Sequence, residues 1–192
     1  MLEPNHSRFV KFRLKVEELL SPIVRDFEAQ GLDSDEAYDR AECEVFHRLN
    51  SGRLPEFDEL GGLPAAYRCS AEEFFQRFGS ANARRRELSA AFSEVVRLGK
   101  GVGGRQIVGG SFVTSASEPN DIDATMLVSP NVIEQATLPT TAAHALLLLS
   151  QQVGPIQLYV ERDEVAWWSW FRLFTQTRDP VHLYQGVVEI EL

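Results

Sequence analysis

Apolar residues recur at spacings of three and four between about Asn5 and Gln30: Phe9, Phe12, Val16, Leu19, Leu20, Ile23, Val24 and Phe27. That period predicts an amphipathic helix, with Pro22 as a point of bending and Gly31 as its stop. Asp33 and Ser34 are cap residues for a second helix through Leu49, whose apolar side would use Ala37, Tyr38, Ala41, Val45, Phe46 and Leu49. The two predict an antiparallel helical pair. Its apolar surface needs a partner, which the main domain, a second copy or another protein would each supply.

Residues 51–69 hold Gly52, Pro55, Gly61, Gly62 and Pro64 and read as a loop or linker. The shift in composition divides the chain into a helical extension, 1–59, and a main domain, 60–192. Within the latter, Ser70-Ala71-Glu72-Glu73 is a capping box that opens a short helix with Phe74, Phe75 and Phe78 inward. A longer helix, Ala83 to Leu98, buries Leu88, Ala91, Phe92, Val95 and Val96. Its run Arg84-Arg85-Arg86 reads as a solvated face, with contact to a polyanion as the alternative. Gly99 to Gly104 reads as a flexible turn. Strands are expected near 105–108, 122–128, 156–160 and 186–190. Between them lie a helical turn at Val132–Ala136, a helix capped by Thr140 or Thr141 and running to Gln151, and an aromatic helical segment, Asp163–Phe174. Gln176 to Gln185 reads as a polar loop. This order predicts an α+β domain: a small, mixed, twisted sheet with helices packed on one face, plus the N-terminal helical pair.

Composition narrows the function classes. Hydrophobic residues make up 44% and charged residues 24% of 192, the balance of an ordinary globule. The longest apolar candidates, such as Ala142 to Leu149, are too short to cross a membrane, and the charged N-terminus does not read as a secretory signal. The expectation is a cytoplasmic protein with no membrane partner. Cys43 and Cys69 are far apart and the four histidines are scattered, which argues for free thiols and against a zinc site. A net charge of −9 disfavours broad binding to a nucleic-acid backbone, a small RNA acceptor aside.

The stretch that carries chemistry is Gly109-Gly110-Ser111-Phe112-Val113-Thr114, a polar loop to Asn120, and Asp121-Ile122-Asp123. Side chains alternate along a strand, so Asp121 and Asp123 point the same way while Ile122 points into the core. Two adjacent carboxylates repel unless a cation lies between them. A glycine turn beside them is placed to hold phosphate, so the pair reads as a Mg²⁺ site.

In these residues the chain resembles the nucleotidyltransferase superfamily with catalytic domains like that of DNA polymerase beta, marked by Gly-Ser after one strand and Asp-x-Asp on the next. It is closest to a largely uncharacterised bacterial group of nucleotidyltransferase-like proteins. That group shares stretches like Glu72–Gly79, Arg84-Arg85-Arg86, Gly110–Thr114, Glu118–Asp123 and Gly186-Val187-Val188-Glu189. The resemblance spans about 60–192 and implies a sheet of the nucleotidyltransferase type. It implies that Gly110 and Ser111, with Thr114, bind the nucleotide phosphates at a helix N-terminus, and that Asp121 and Asp123 are catalytic residues holding Mg²⁺ or Mn²⁺. Active members carry a third carboxylate on the following strand. Here Gln157 stands there if Ile156, Leu158 and Val160 face the core, and Glu161 reaches the position only by a shift of register. Asp163 is more distant. Two functions follow from the resemblance. One is metal-dependent transfer of NMP from an NTP to a protein, RNA or small hydroxyl acceptor. The other is a catalytically impaired relative that binds a nucleotide or a protein, for example within a toxin–antitoxin or phage-defence pair, with the N-terminal helices meeting the partner or a second copy.

Overall fold

The structure is a computed structural model that describes residues 20–49, 54–59, 61–63, 66–175 and 186–192. The expectations for residues 1–19 and for the loop 176–185 lie outside the described residues. The chain divides into two compact units, Met1–Ser51 and Gly52–Leu192.

In the first unit, α1 is described over residues 20–29 and α2 spans Ser34–Leu49. Gly31, at φ +96°, supplies the left-handed residue that ends α1. Asp33 caps α2 by accepting the Glu36 N–H through Oδ1 at 2.9 Å. Leu20, Ile23 and Ala41 form a small buried cluster with Val24 and Phe27 against it. Tyr38 departs from the expected apolar side: it is 47% exposed.

The second unit is an α+β fold on a mixed five-stranded sheet. Its strands are β1 (Tyr67–Ser70), β2 (Arg105–Gly109), β3 (Ile122–Leu127), β4 (Ile156–Glu161) and β5 (Val188–Glu191), in the order β1-β5-β2-β3-β4. β5 runs parallel to β1 and antiparallel to β2, β2 antiparallel to β3, and β3 parallel to β4. β1 lies where the sequence reads as linker. It has only four residues and draws its order from pairing with the far end of the chain, a contact that no local pattern announces. Nor is the stretch before it a free tether: Leu54 and Phe57 pack against the core of the second unit.

Helix α3 (Ala71–Phe78) opens on the capping box as expected. Ser70 Oγ accepts the Glu73 N–H at 3.2 Å, and Glu73 Oε2 accepts the Ser70 N–H at 3.1 Å. Helix α4 (Ala83–Val102) runs four residues past its expected end, to a left-handed cap at Gly103, φ +65°. Gly99 is buried inside α4, where an added Cβ would overlap the Met126 side chain, so this glycine serves close helix–sheet packing rather than a turn. Two further helices, α5 (Pro130–Gln135) and α6 (Ala142–Ser150, capped by Thr141), connect β3 to β4.

Strand alternation sorts the rest. Val108, Ile122, Ala124, Met126, Leu158, Val188 and Ile190 join Phe74, Leu88, Phe92, Val95 and Leu146 in the main core. The other face carries Ile107, Gly109, Asp123, Thr125, Gln157, Tyr159 and Glu189, by the register of the ladders. Helix α7 (Glu164–Thr175) covers part of that second face. Trp170 stacks on Tyr159 with centroids 3.8 Å apart, Arg105 lies over the Trp167 ring at 4.5 Å, and Phe174 sits against Gly109. The expectation of helices on one face therefore holds for α3 to α6 and fails for α7. Apolar rings at Trp167, Phe171 and Phe174 need burial, and the face bearing Ile107 and Gly109 provides it.

Candidate functional site

The site lies at one end of β3, on the face shared with α7. Asp123 stands opposite Gly109 on β2 and opposite Gln157 on β4, so a glycine and an amide flank it across the sheet. Asp121 lies two residues earlier, just outside the strand, on the same side. The amide of Gln157 closes the group: its Nε2 donates to Asp121 Oδ2 at 2.5 Å, and the Tyr159 hydroxyl lies 3.5 Å from its Oε1. An N–H aimed at a carboxylate offsets part of the repulsion between two neighbouring acids.

Gly110 borders the acids directly. Its φ of +69° favours glycine, and any Cβ there would overlap Asp123 Oδ2. After it comes a single 3₁₀ turn, Ser111–Val113, rather than the α-helix whose N-terminus the resemblance implies. The Thr114 hydroxyl belongs to this turn. It donates to Ser111 O at 2.7 Å and accepts the Ala116 N–H at 3.2 Å, so it braces backbone.

The alternatives for a third position separate. Leu158 is buried, and Ile156 and Val160 pack against the main core, which turns Gln157 toward the acids. Glu161 pairs with Leu127, four residues along β3 from Asp123, or about 13 Å at the rise of a strand. Its Oε1 accepts the Trp170 indole N–H at 2.8 Å. The structure brings together Gly110, Asp121, Asp123 and Gln157, and leaves Glu161 to hold the aromatic stack.

The arginine run does what the sequence reading missed. Arg85 is 4% exposed and its guanidinium donates only to backbone carbonyls: Nε to Ala116 O (3.1 Å), Nη1 to Phe78 O and Phe112 O (2.8 Å each), Nη2 to Thr114 O (2.7 Å) and Ala116 O (2.6 Å). Burial pulls its pKa below the ordinary arginine value. Arg84 donates to Pro119 O at 3.1 Å and to Asn120 O. Asn82 caps α4 through Oδ1 and donates Nδ2–H to Ser117 O at 2.5 Å. A signal for Arg85 was present: it stands three residues before Leu88 and continues the buried stripe of Leu88, Phe92 and Val95. On its other side the loop is braced by Gly61, whose carbonyl accepts the Ser115 N–H at 2.7 Å.

Among the described residues no three His, Cys, Asp or Glu side chains come together as a metal-holding group. No described helix is long and apolar enough to cross a membrane. Cys69 is buried; desolvation, then the charges of Glu73 and Glu191, push its thiol up to about 12, the opposite of a reactive cysteine.

The class is thus an α+β protein with paired aspartates at a strand end, a glycine corner against them and a buried arginine behind the connecting loop. The chain belongs to DUF6932, a family of unknown function whose model matches residues 55–191. No curated protein and no solved structure matches it.

Proposed function

We propose that this site binds a nucleoside triphosphate together with Mg²⁺ or Mn²⁺, as a nucleotidyltransferase-like module in which an amide replaces the third carboxylate. The observation that carries the reading is Gln157, opposite Asp123 in the ladder and hydrogen-bonded to Asp121. The donor set suits the cation. Mg²⁺ takes hard oxygen ligands and is often held by one or two carboxylates plus substrate phosphates, so a third acid is not required for binding. Asp121 and Asp123 would hold it, and the Gln157 carbonyl would add a neutral oxygen once the amide turns over. Gly110 lets an anion approach the corner without a side chain in the way. When bound, the cation neutralises phosphate charge and lowers the pKa of an attacking hydroxyl. Glutamine cannot accept a proton, so Gln157 supplies binding without a general base.

NMP transfer to a protein, RNA or small hydroxyl acceptor is the second reading, favoured by the two retained aspartates on one side of β3. A cytoplasmic location would supply both NTP and Mg²⁺. A protein partner at the N-terminal helices, as in a toxin–antitoxin or phage-defence pair, is compatible with either reading.

Calorimetric titration with each NTP, with and without Mg²⁺, tests the proposal beside the double variant Asp121→Asn, Asp123→Asn. Metal-dependent binding that disappears in the variant is the expected result. Binding that persists there, or no binding by either protein, overturns it. Incubation with α-labelled NTPs then separates a binding module from an enzyme.

A further inference from the structure

We propose that Arg84 and Arg85 are positioning residues that pre-set the loop between Ser111 and Asp121 for a triphosphate; this rests on the reading of the site as a nucleotide site. The two guanidiniums and Asn82 hold the carbonyls of Phe112, Thr114, Ala116, Ser117, Pro119 and Asn120 toward α4. A trans peptide points its C=O and the next N–H in opposite directions. Fixing those carbonyls therefore turns the N–H groups of Ser115, Ser117, Glu118, Asn120 and Asp121 away from α4, while that of Val113 is buried with its residue. Ser115 already gives its own to Gly61 O. The others are oriented before any ligand arrives, and orientation in advance lowers the entropy lost on binding. Oriented backbone N–H groups bind anions without basic side chains. The arginines act from behind the loop: the Arg85 donors are engaged with carbonyls, and those of Arg84 with the Pro119 and Asn120 carbonyls and, through Nη1, with Glu87 Oε2 at 3.1 Å.

Arg84 is the residue to change, because it holds the two carbonyls just before Asp121 while its side chain stays 29% exposed. A planar fork can hold two carbonyls in fixed directions, and an ammonium on a flexible stem cannot. Arg84→Ala and Arg84→Lys are compared with the unaltered chain by calorimetry with Mg-ATP, with thermal melting to confirm folding. Arg97→Ala removes the same charge from the exposed Arg97–Glu94 pair further along α4 and is the control for net charge. Both Arg84 variants are expected to bind about tenfold more weakly, with Arg97→Ala unchanged. Arg84→Ala binding as tightly as the unaltered chain overturns the inference. So does Arg84→Lys retaining full affinity, which would assign the effect to charge. If the unaltered chain binds no NTP, the nucleotide reading itself fails and this inference falls with it.

Discussion

Changing Gln157 to glutamate removes the N–H that Asp121 accepts and sets a third carboxylate beside two others. Without a divalent cation both effects destabilise the fold. A hydrogen bond to a charged group contributes about 1.5–3 kcal/mol in general, and at an exposed side chain like Gln157 the lower end applies. Two unit charges 4 Å apart in water repel by about 1 kcal/mol. The sum is about 2.5 kcal/mol, and at about 2–4 °C per kcal/mol for a chain of this size it lowers Tm by about 5–10 °C. Mg²⁺ inverts the ranking. A ligand that binds only the folded state stabilises it by about 2.7 kcal/mol at a hundred times its Kd, and three carboxylates hold the cation more tightly than two and an amide. The assay is thermal melting in EDTA and across a Mg²⁺ series, with Gln157→Ala as the variant that loses the donor without gaining charge. Gln157→Glu should melt lowest in EDTA and show the largest Mg²⁺-dependent rise, and Gln157→Ala should show a rise no larger than the unaltered chain. Equal rises in all three would refute the placement of Gln157 at a cation site.

Two further outcomes follow from the geometry. Gly110→Ala forces a side chain onto a backbone at φ +69°, ψ −166°, a region essentially reserved for glycine, at about 1–3 kcal/mol, and drives the Asp123 carboxylate aside. Melting should show the loss of stability, and calorimetry the loss of metal-dependent nucleotide binding; an unchanged protein by both would remove Gly110 from the site. For Cys69, the folded thiol is raised to about 12 from an ordinary 9.0. The stability tied to its proton is complete below the unfolded value and is lost as pH rises from about 9 toward 12, since only the unfolded chain ionises readily there. Urea midpoints at pH 8 and pH 10 should differ more for the unaltered chain than for Cys69→Ala, and iodoacetamide should label Cys69 only after denaturation.

The parts of the fold legible in the sequence were those set by local chemistry. The capping box at Ser70, the strands flanking the glycine loop and the same-side placement of Asp121 and Asp123 all follow from period and cap residues within a few positions. What escaped depends on partners distant in sequence. β1 is an edge strand of four residues whose neighbour is the last strand of the chain. α7 shows a helical pattern, but nothing within it says which face of the sheet it covers. The glycines at 99 and 101 read as turn residues because glycine usually breaks helices, whereas both lie inside α4, and at Gly99 the Met126 side chain lies where a Cβ would point. In the site, the alternation along β4 identified Gln157 from the sequence. Arg85 was hidden by its charge, which outweighed its position on the buried stripe.

That misreading bears on how the site works. An arginine taken from water is costly unless its donors are filled, and Arg85 is kept in place by five carbonyl contacts drawn from Phe78 and the loop. The dependence is mutual. Without the guanidinium the loop carbonyls would turn toward water, and a connection of this length between β2 and β3 would sample many conformations. With it, the ends of the loop meet the acids in a fixed relation: Gly110 against Asp123, and Asn120, tied to Arg84, just before Asp121. Phe112 and Val113 anchor the start of the loop in the main core, while Ser115, Ser117, Glu118 and Asn120 stay exposed, so the arginines restrain a stretch that has little burial of its own. Under the proposed reading, a phosphate chain bridged by a cation would meet the carboxylates, the glycine corner and the loop amides at this end of β3.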